Sequence, residues 1–263
     1  MGNNTVSFSE ALKYVYRKEP CRVLPNALWK TLIRIGDLDC SFELDGNEVT
    51  KLVAREEKRL FVFWKKNPGL DELSKKELER MDFMVIHDEY YRQLDGRLFS
   101  YTKSYFRIIH DNKETYNVEL PAGFAFENVN IASEIEEVSE LIGRCYEDIH
   151  PDVETVRSWM KHPVFEKDLW VWVIDRKKDT PVALGIAEID KMIQEGSLEW
   201  IQVLPDYQGK GLGSAVVFEL LNRLKSRVAF TTVSGEVGNK TNPERLYRKC
   251  GFYGNDIWWV LRK

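Results

Sequence analysis

The sequence has few of the residues that build metal or disulfide sites. Four cysteines and four histidines are scattered through 263 residues, and none of them has a metal-ligand spacing such as Cys-x-x-Cys. We therefore predict reduced thiols in a cytosolic protein and no bound metal.

Long apolar runs and an excess of basic charge are also missing. No apolar run approaches the roughly 18 residues of a membrane-spanning helix, and the first residues lack the pattern of a signal peptide. The net charge is −4, with acidic and basic side chains interspersed, which argues against a nucleic acid as the main partner. We expect a cytoplasmic protein that binds neither a membrane nor a nucleic acid.

The chain does have enough apolar material for packed cores. Its residues are 43% hydrophobic and 12% aromatic, and its length of 263 residues exceeds that of a typical domain. We predict two domains, residues 1–118 and 119–263. The linker is expected within residues 110–123, which are polar and end in Pro-Ala-Gly.

The most informative segment is glycine-rich and lies between a strand pattern at 198–204 and a helical pattern at 214–225. It reads Gln208-Gly209-Lys210-Gly211-Leu212-Gly213-Ser214. The first turn of a helix has unpaired N–H groups and a partial positive charge, and glycine lets a ligand approach the backbone. The segment therefore predicts a phosphate or pyrophosphate site. The competing interpretation is a glycine-rich turn without a ligand.

Two known nucleotide loops fit this segment poorly. A P-loop places a serine or threonine after its lysine to hold magnesium, whereas Lys210 is followed by Gly211. A dinucleotide loop reads Gly-x-Gly-x-x-Gly, whereas Gly213 comes one place early. Of three functional hypotheses, a nucleotide-binding protein is therefore the least favoured, and the other two, an enzyme and a binding module, are described below.

The spacing of Gln208, Gly211 and Gly213 as Gln-x-x-Gly-x-Gly resembles the acyl-CoA loop of the GNAT superfamily of N-acyltransferases. A second block, at 242–252, resembles the closing Leu-Tyr-x-x-x-Gly-Phe helix of that superfamily, with Tyr247 as its tyrosine. The resemblance covers roughly residues 124–263. It implies an α/β (α+β mixed sheet) fold, in which a mostly antiparallel sheet is flanked by helices.

Hydrophobic periodicity in the C-terminal part agrees with the element order of that fold. Strands are predicted at 124–131, 170–175, 182–189, 198–204, 230–233 and 257–261, the last of which closes the sheet. Helices are predicted at 133–149, 153–161, 214–225 and 244–250.

Residues 1–118 have no such motif. Helical patterns at 9–17 and 26–35 precede strand patterns at 41–44, 49–55 and 60–64, and Ser74 with Glu77 predicts a capping box. We interpret this part as a smaller α+β domain of unknown role. Tandem arrangements occur in the GNAT superfamily, so a degenerate second copy of the fold is an open alternative, although no residue pattern indicates it.

The resemblance implies how acetyl-CoA is held. Its pyrophosphate is expected on the amides of residues 209–214, and its pantetheine arm beside the strand at 198–204, paired with backbone groups of Ile201 and Val203. The N–H of Val203 or a neighbour would hold the thioester oxygen. Either Asn239 or Asn242 is expected to bond to the arm, and the sequence does not decide between them.

Candidate catalytic residues follow from the same comparison. Tyr247 falls on the superfamily's position for the proton donor to the leaving thiolate. Strand alternation places Glu199 on the face of Ile201, so we predict Glu199 as the base, with Glu188 as the alternative. The competing interpretations are a core tyrosine and salt-bridged strand glutamates.

We predict an acetyl-CoA-dependent N-acetyltransferase that needs no metal. The acetyl group would pass by direct attack, in a ternary complex, to a primary amine of a small molecule or a protein. The alternative is a catalytically weak CoA-binding module that recognises a partner through its N-terminal domain. His150, Asp152 and Trp159 are candidates to line the acceptor pocket, with helix-connecting and packing roles as the alternative.

Overall fold

The computed structural model describes residues 7–263, in which there are nine α-helices and eleven β-strands. The helices are α1 (Phe8–Lys18), α2 (Pro20–Val23), α3 (Leu28–Leu32), α4 (Glu72–Glu79), α5 (Asp88–Tyr91), α6 (Ile135–Cys145), α7 (Val153–Trp159), α8 (Leu212–Leu224) and α9 (Pro243–Lys249). The strands are β1 (Asp39–Asp45), β2 (Glu48–Glu56), β3 (Arg59–Lys65), β4 (Phe83–His87), β5 (Tyr101–His110), β6 (Phe124–Asn128), β7 (Trp170–Asp175), β8 (Thr180–Asp190), β9 (Glu195–Val203), β10 (Phe230–Glu236) and β11 (Tyr253–Arg262).

Hydrogen bonding joins the strands in two series, β1-β2-β3-β4-β11-β5 and β10-β9-β8-β7-β6. The predicted α/β class is confirmed, because helices connect strands that form both parallel and antiparallel pairs. The contacts divide the chain into two compact units. Unit 1 comprises Met1–Ile108, Ser234–Asn242 and Gly254–Lys263, and unit 2 comprises Ile109–Val233 and Pro243–Tyr253. The division of the sequence at residue 118 stays a prediction.

Unit 2 is built on an antiparallel meander, β6-β7-β8-β9, followed by α8 and by the parallel start of β10. Helix α8 buries the apolar face that the sequence predicts, at Val217, Leu220, Leu221 and Leu224. Fully burying such a side chain stabilises the fold by about 1.5–3 kcal/mol. A Cβ on Gly185 of β8 would collide with Val216 of α8, so glycine permits this close packing.

Unit 1 follows the same order of elements. An antiparallel set, β1-β2-β3, is followed by α4 and then by β4, which runs parallel to the start of β3. The core of this unit includes Phe63, Leu78, Met84 and Tyr90.

The last strand belongs to unit 1 rather than to the C-terminal sheet in which we predicted it. We expected residues 257–261 to close the C-terminal sheet, but β11 pairs antiparallel with β4 of unit 1, from Trp258 opposite His87 to Arg262 opposite Phe83. Burial explains this choice. Leu261 is part of the core of unit 1, and the buried indole N–H of Trp258 donates to the Cys21 carbonyl at 2.8 Å.

The start of α4 also differs from the prediction. The N-cap is Asp71, whose carboxylate accepts from the Ser74 N–H at 2.7 Å, rather than Ser74 itself. An aspartate is a strong N-cap, and here it stands three residues before the predicted one. In the part of the chain that is described, no helix has the length and apolar character needed to cross a membrane.

Candidate functional site

The end of β9 presents an open backbone edge in unit 2. The Leu204 N–H donates to the Val182 carbonyl of β8 at 3.0 Å. Antiparallel pairs alternate between hydrogen-bonded and non-hydrogen-bonded positions, so the backbone groups of Ile201 and Val203 point away from β8.

Strand β10 lies on the other side of β9, and its pairing with β9 ends before Ile201 and Val203. The parallel register between β10 and β9 ends at Val233 opposite Leu198. The next residue, Glu199, is a bulge, since Leu198 and Trp200 face consecutive residues of β8. The edge at Ile201 and Val203 thus lies beyond the stretch of β9 that pairs with β10.

The glycine-rich segment connects this edge to α8. Gly209 and Gly211 have φ values of 77° and 82°, in the left-handed region, and an added Cβ would meet nothing within 4 Å. Gly211 is the N-cap of α8, which begins without a side-chain capping bond. The first-turn N–H groups are therefore directed out of the helix. The Leu212 side chain is buried, so this residue offers only its backbone.

Gly213 and Ser214 fix α8 against its neighbours. A Cβ on Gly213 would lie 3.3 Å from Leu246 and 3.7 Å from Val203, so this position needs glycine for close approach. The Ser214 hydroxyl is hydrogen-bonded to the Cys250 thiol, whose pKa burial raises to about 11. The helix start, the end of β9 and α9 therefore pack tightly around the segment.

Polar side chains of the segment contact its own turn. Gln208 Nε2 donates to the Val203 carbonyl at 3.2 Å, so the glutamine lies at the open edge. Lys210 Nζ lies 4.5 Å from the centroid of the Tyr207 ring. The predicted position of both side chains beside a pyrophosphate stays a prediction.

A second lysine that the sequence analysis missed lies beside Tyr207. Lys178 donates to the Tyr207 hydroxyl at 2.8 Å, and that hydroxyl donates to Asp175 at 2.9 Å. Two ammonium groups, those of Lys178 and Lys210, therefore flank one ring next to the glycine segment. A lysine pair at 177–178 was the available signal, but only the pairing of β7 with β8 brings that turn here.

Tyr247 is buried in unit 2, with 7% of its surface exposed. Its ring makes an edge contact with Phe252 at 5.7 Å. Burial raises the pKa of Tyr247 well above its usual value of 10, and the nearby Tyr146, Cys250 and Glu199 raise it further. The phenol therefore keeps its proton at neutral pH, as a proton donor must.

The two candidate bases meet at one hydroxyl. Ser197 Oγ donates to Glu199 at 3.0 Å and to Glu188 at 3.4 Å. The strand alternation used to place Glu199 does not apply at a bulge, because the extra residue interrupts it. The choice between Glu188 and Glu199 stays a prediction.

The two candidate asparagines belong to a turn of unit 1. Asn239 Oδ1 accepts from the Thr241 N–H at 2.9 Å, and the Asn242 N–H donates to the Asn239 carbonyl at 2.9 Å. Asn242 has a left-handed φ of 48°. These contacts give both residues a turn-forming role, and their expected bond to pantetheine stays a prediction.

On the proposed acceptor side, Asp152 and Trp159 have different roles. Asp152 caps α7, accepting from the Thr155 N–H at 2.7 Å, which is the structural alternative we considered. Trp159 stacks on Trp200, with ring centroids 5.3 Å apart, next to the Glu199 bulge.

Polar and aromatic contacts also involve His150, Tyr146 and Trp200. The exposed His150 lies against the Glu147 carbonyl at 3.1 Å. Gln202 donates to the Tyr146 hydroxyl at 2.8 Å, and the Tyr146 ring makes an edge contact with Trp200 at 6.2 Å. The sequence analysis missed Tyr146 and Trp200, because only strand pairing and helix packing bring them together. Among residues 7–263, no group of His, Cys, Asp and Glu side chains has an arrangement that could hold a metal ion.

Comparisons with known proteins identify the region around this site. Residues 167–253 match the family model described as the acetyltransferase (GNAT) domain. This range begins just before β7 and includes β8 to β10, α8 and α9. The resemblance drawn from the two motifs is confirmed there, and proteins of this family use acyl-CoA. A search of curated proteins finds no match.

Solved structures extend the likeness to the whole chain. A GCN5-related N-acetyltransferase from Sphaerobacter thermophilus has a TM-score of 0.67 at 14% identity, over 97% of this chain and 91% of that one. A GNAT-family acetyltransferase from Colwellia psychrerythraea gives 0.63 at 10% identity, over 98% and 97%. A tandem GNAT protein from the clavulanic acid biosynthesis pathway gives 0.60 at 11% identity, over 100% and 96%. The chain therefore has a fold like that of a tandem GNAT protein.

Proposed function

We propose that the GNAT domain at residues 167–253 makes this protein an N-acetyltransferase, which transfers an acetyl group from acetyl-CoA to a primary amine. One observation carries the proposal. The open backbone edge at Ile201 and Val203 leads directly into the glycine-rich start of α8. An extended chain of amides that ends in a pyrophosphate has the shape and chemistry to fill both parts.

The acyl donor would be held mostly by backbone groups. The amides of the pantetheine arm would pair with Ile201 and Val203 as an added strand does. The pyrophosphate would lie on the N–H groups at the start of α8, where the helix dipole favours an anion. Lys210 and Lys178 supply positive charge beside it.

The chemical step needs two proton transfers. The nitrogen of the neutral amine attacks the thioester carbonyl carbon, and a new C–N bond forms as the C–S bond breaks. The Val203 N–H would stabilise the oxyanion. Tyr247 gives its proton to the departing thiolate, while Glu199 or Glu188 takes one from the amine, directly or through water. The acceptor belongs to a small molecule or to a protein.

Ligand binding tests the donor part of the proposal. At a concentration 100 times Kd, acetyl-CoA or CoA should stabilise the protein by about 2.7 kcal/mol and raise Tm by roughly 5–10 °C. Stabilisation by ATP or NAD without stabilisation by CoA would reject the acyltransferase function.

Thiol release from acetyl-CoA in the presence of a panel of amines tests turnover. We expect amine-dependent release well above the rate of hydrolysis. Tight acetyl-CoA binding without release for any small amine or amine-bearing peptide would favour the alternative, a CoA-binding module that recognises a partner.

A further inference from the structure

Unit 1 repeats the backbone plan of the site in unit 2. The Lys66 N–H donates to the Thr50 carbonyl of β2 at 2.9 Å, just as the Leu204 N–H donates to β8. Lys65, the last residue of β3, therefore corresponds to Val203, the last residue of β9. By the same alternation, the backbone groups of Lys65 point away from β2.

The bulges confirm this correspondence. Phe61 is a bulge in β3 and Glu199 is a bulge in β9, each four residues before the end of its strand. The parallel pairing with the next strand ends at Leu60 in unit 1 and at Leu198 in unit 2, immediately before the bulge in each case. Each of the strands β3 and β9 is followed by a helix, a parallel strand and a short helix.

In unit 1, a tyrosine occupies the open edge. The Tyr90 hydroxyl accepts from the Lys65 N–H at 2.7 Å and donates to the Lys65 carbonyl at 3.2 Å. A single hydroxyl thus satisfies both backbone groups that an amide of a bound ligand would pair with. Tyr90 is fully buried, and its ring packs edge-on against Phe63 with centroids 4.9 Å apart.

The loop between β3 and α4 is filled in the same way. Gln93 Oε1 accepts from the Leu70 N–H at 2.9 Å, and Gln93 Nε2 donates to the Pro68 carbonyl at 2.8 Å. The start of α4 is capped by Asp71. In unit 2 the corresponding loop is glycine-rich, and the helix begins at Gly211 without a side-chain cap.

The guanidinium of Arg22 also contacts the end of β3 in unit 1. Arg22 donates to the Lys66 carbonyl at 3.3 Å and is held by Glu89 at 3.0 Å. The strand end, the loop and the helix start of unit 1 thus all have internal partners. A ligand would have to displace these bonds and leave buried polar groups to be paired again.

We infer that Tyr90, Gln93 and Asp71 occupy in unit 1 the positions that acyl-CoA takes in unit 2. The chain accordingly holds one acyl-CoA, in unit 2, and the second copy of the cleft is closed by its own side chains. The identity of the ligand rests on the proposed function, but the closure of the unit 1 cleft does not.

Hydrogen exchange with and without CoA tests this inference, with calorimetry for the stoichiometry. We expect the Lys65 and Leu70 amides, which are paired with Tyr90 and Gln93, to be protected in the free protein and unchanged by CoA, while amides of 203–214 gain protection, with one site per chain. Protection gained at Lys65 and Leu70, or two sites per chain, would overturn the inference. If 203–214 does not respond to CoA, the proposed function fails, while the exchange of the Lys65 and Leu70 amides in the free protein still reports on the closure. Rapid exchange of these two amides would overturn it.

A pair of adjacent hydroxyl deletions tests the contact itself. Tyr90→Phe removes the hydroxyl bound to Lys65 and is expected to lower Tm by roughly 3–6 °C. Tyr91→Phe is the control, because the Tyr91 ring stacks on Trp259 at 4.0 Å and its hydroxyl has no hydrogen bond among the described residues. Equal Tm values for the two variants would contradict the assigned role of Tyr90.

Discussion

Strand β3 of unit 1 and strand β9 of unit 2 end in the same backbone geometry, but different side chains surround those ends. In unit 1, Tyr90 satisfies the backbone of Lys65, and Asp71 caps the helix that follows. In unit 2, the pairing with β10 ends before Val203, whose carbonyl accepts from the Gln208 side chain, and the following helix begins at Gly211. The sheet plan therefore does not decide which cleft accepts a ligand. A few side chains at the strand end and the helix start do.

The bulged residues show the same contrast. Phe61 in unit 1 lies under the guanidinium groups of Arg34 and Arg59, at 4.4 Å and 5.4 Å from the ring centroid. Its counterpart Glu199 is a carboxylate beside Tyr247 and Ser197. A bulge re-aims one side chain in each unit, and only unit 2 has a group there that can accept a proton.

The connections after the parallel strands explain how a tyrosine fills one cleft and not the other. In unit 1, α5 starts at the residue after β4, so Tyr90 is brought back onto β3. Six residues, 237–242, separate β10 from α9, and Tyr247 of α9 packs against Phe252 instead. The shorter connection in unit 1 places its tyrosine directly at the strand end.

The largest effect is expected from a charge at the open helix start. Gly211→Asp should raise the Kd of acetyl-CoA by ~100-fold or more, because a carboxylate would lie where the pyrophosphate is expected and would occupy N–H groups there. Calorimetry measures the change.

The matched control for this variant is Gly46→Asp in unit 1. Gly46 has a left-handed φ of 61° and open space around it, so the backbone strain is similar. Its Kd should stay within about twofold of the unaltered protein, by the same calorimetry. If both variants bind acetyl-CoA normally, the helix start of unit 2 is not the pyrophosphate site.

The second comparison is between the buried tyrosines. Tyr247→Phe should lower kcat by ~100-fold, since it removes the proposed proton donor to the thiolate, while the Kd of CoA should change by less than about threefold. Steady-state thiol release and calorimetry measure the two quantities. Tyr253→Phe, an exposed tyrosine, is the control and should leave both unchanged. An unaltered kcat in Tyr247→Phe would remove this residue from the mechanism.

The buried Tyr90 should make the unfolding free energy depend on pH in alkaline solution. Burial raises its pKa from 10 to about 12, so the folded state keeps a proton that the unfolded chain releases. The stability that the protonated Tyr90 contributes to the folded state is fully present below pH 10 and is lost as the pH rises from 10 to 12. Over that window the unfolding free energy should fall by about 2–3 kcal/mol more in the unaltered protein than in Tyr90→Phe. Denaturant titrations at each pH measure it, and parallel curves would contradict the burial of this phenol.

Local patterns in the sequence were enough to predict the C-terminal meander, the glycine-rich segment and the helix that carries Tyr247. These features depend on neighbouring residues, such as the apolar face of α8 and the glycines around Lys210. Features that depend on distant pairing could not be predicted. Strand β11 was expected to close the C-terminal sheet but pairs with β4 of unit 1, and Lys178 and Trp200 reach the site only through strand pairing and packing.

The repeat in unit 1 was undetectable for the same reason. The features that unit 1 shares with unit 2 are a bulge in β3, a parallel pairing between β3 and β4 that ends early, and a backbone hydrogen bond at the end of β3. None of them needs a particular side chain. The positions that indicate a ligand site in unit 2, Gly211 at the helix start and Glu199 at the bulge, correspond in unit 1 to Asp71 and Phe61. A sequence motif based on the unit 2 residues therefore does not match unit 1.

The smallest effect is expected at the bulge of unit 2. Glu199→Gln should lower kcat/KM by ~10-fold at neutral pH, since the amide cannot accept a proton, and the remaining rate should rise with pH as more of the amine is deprotonated in solution. Glu188→Gln is the matched variant, because both carboxylates accept from Ser197. A pH profile of thiol release separates them. If only Glu188→Gln shows the loss and the altered profile, the base is Glu188, and the contrast between Glu199 and Phe61 concerns packing rather than catalysis.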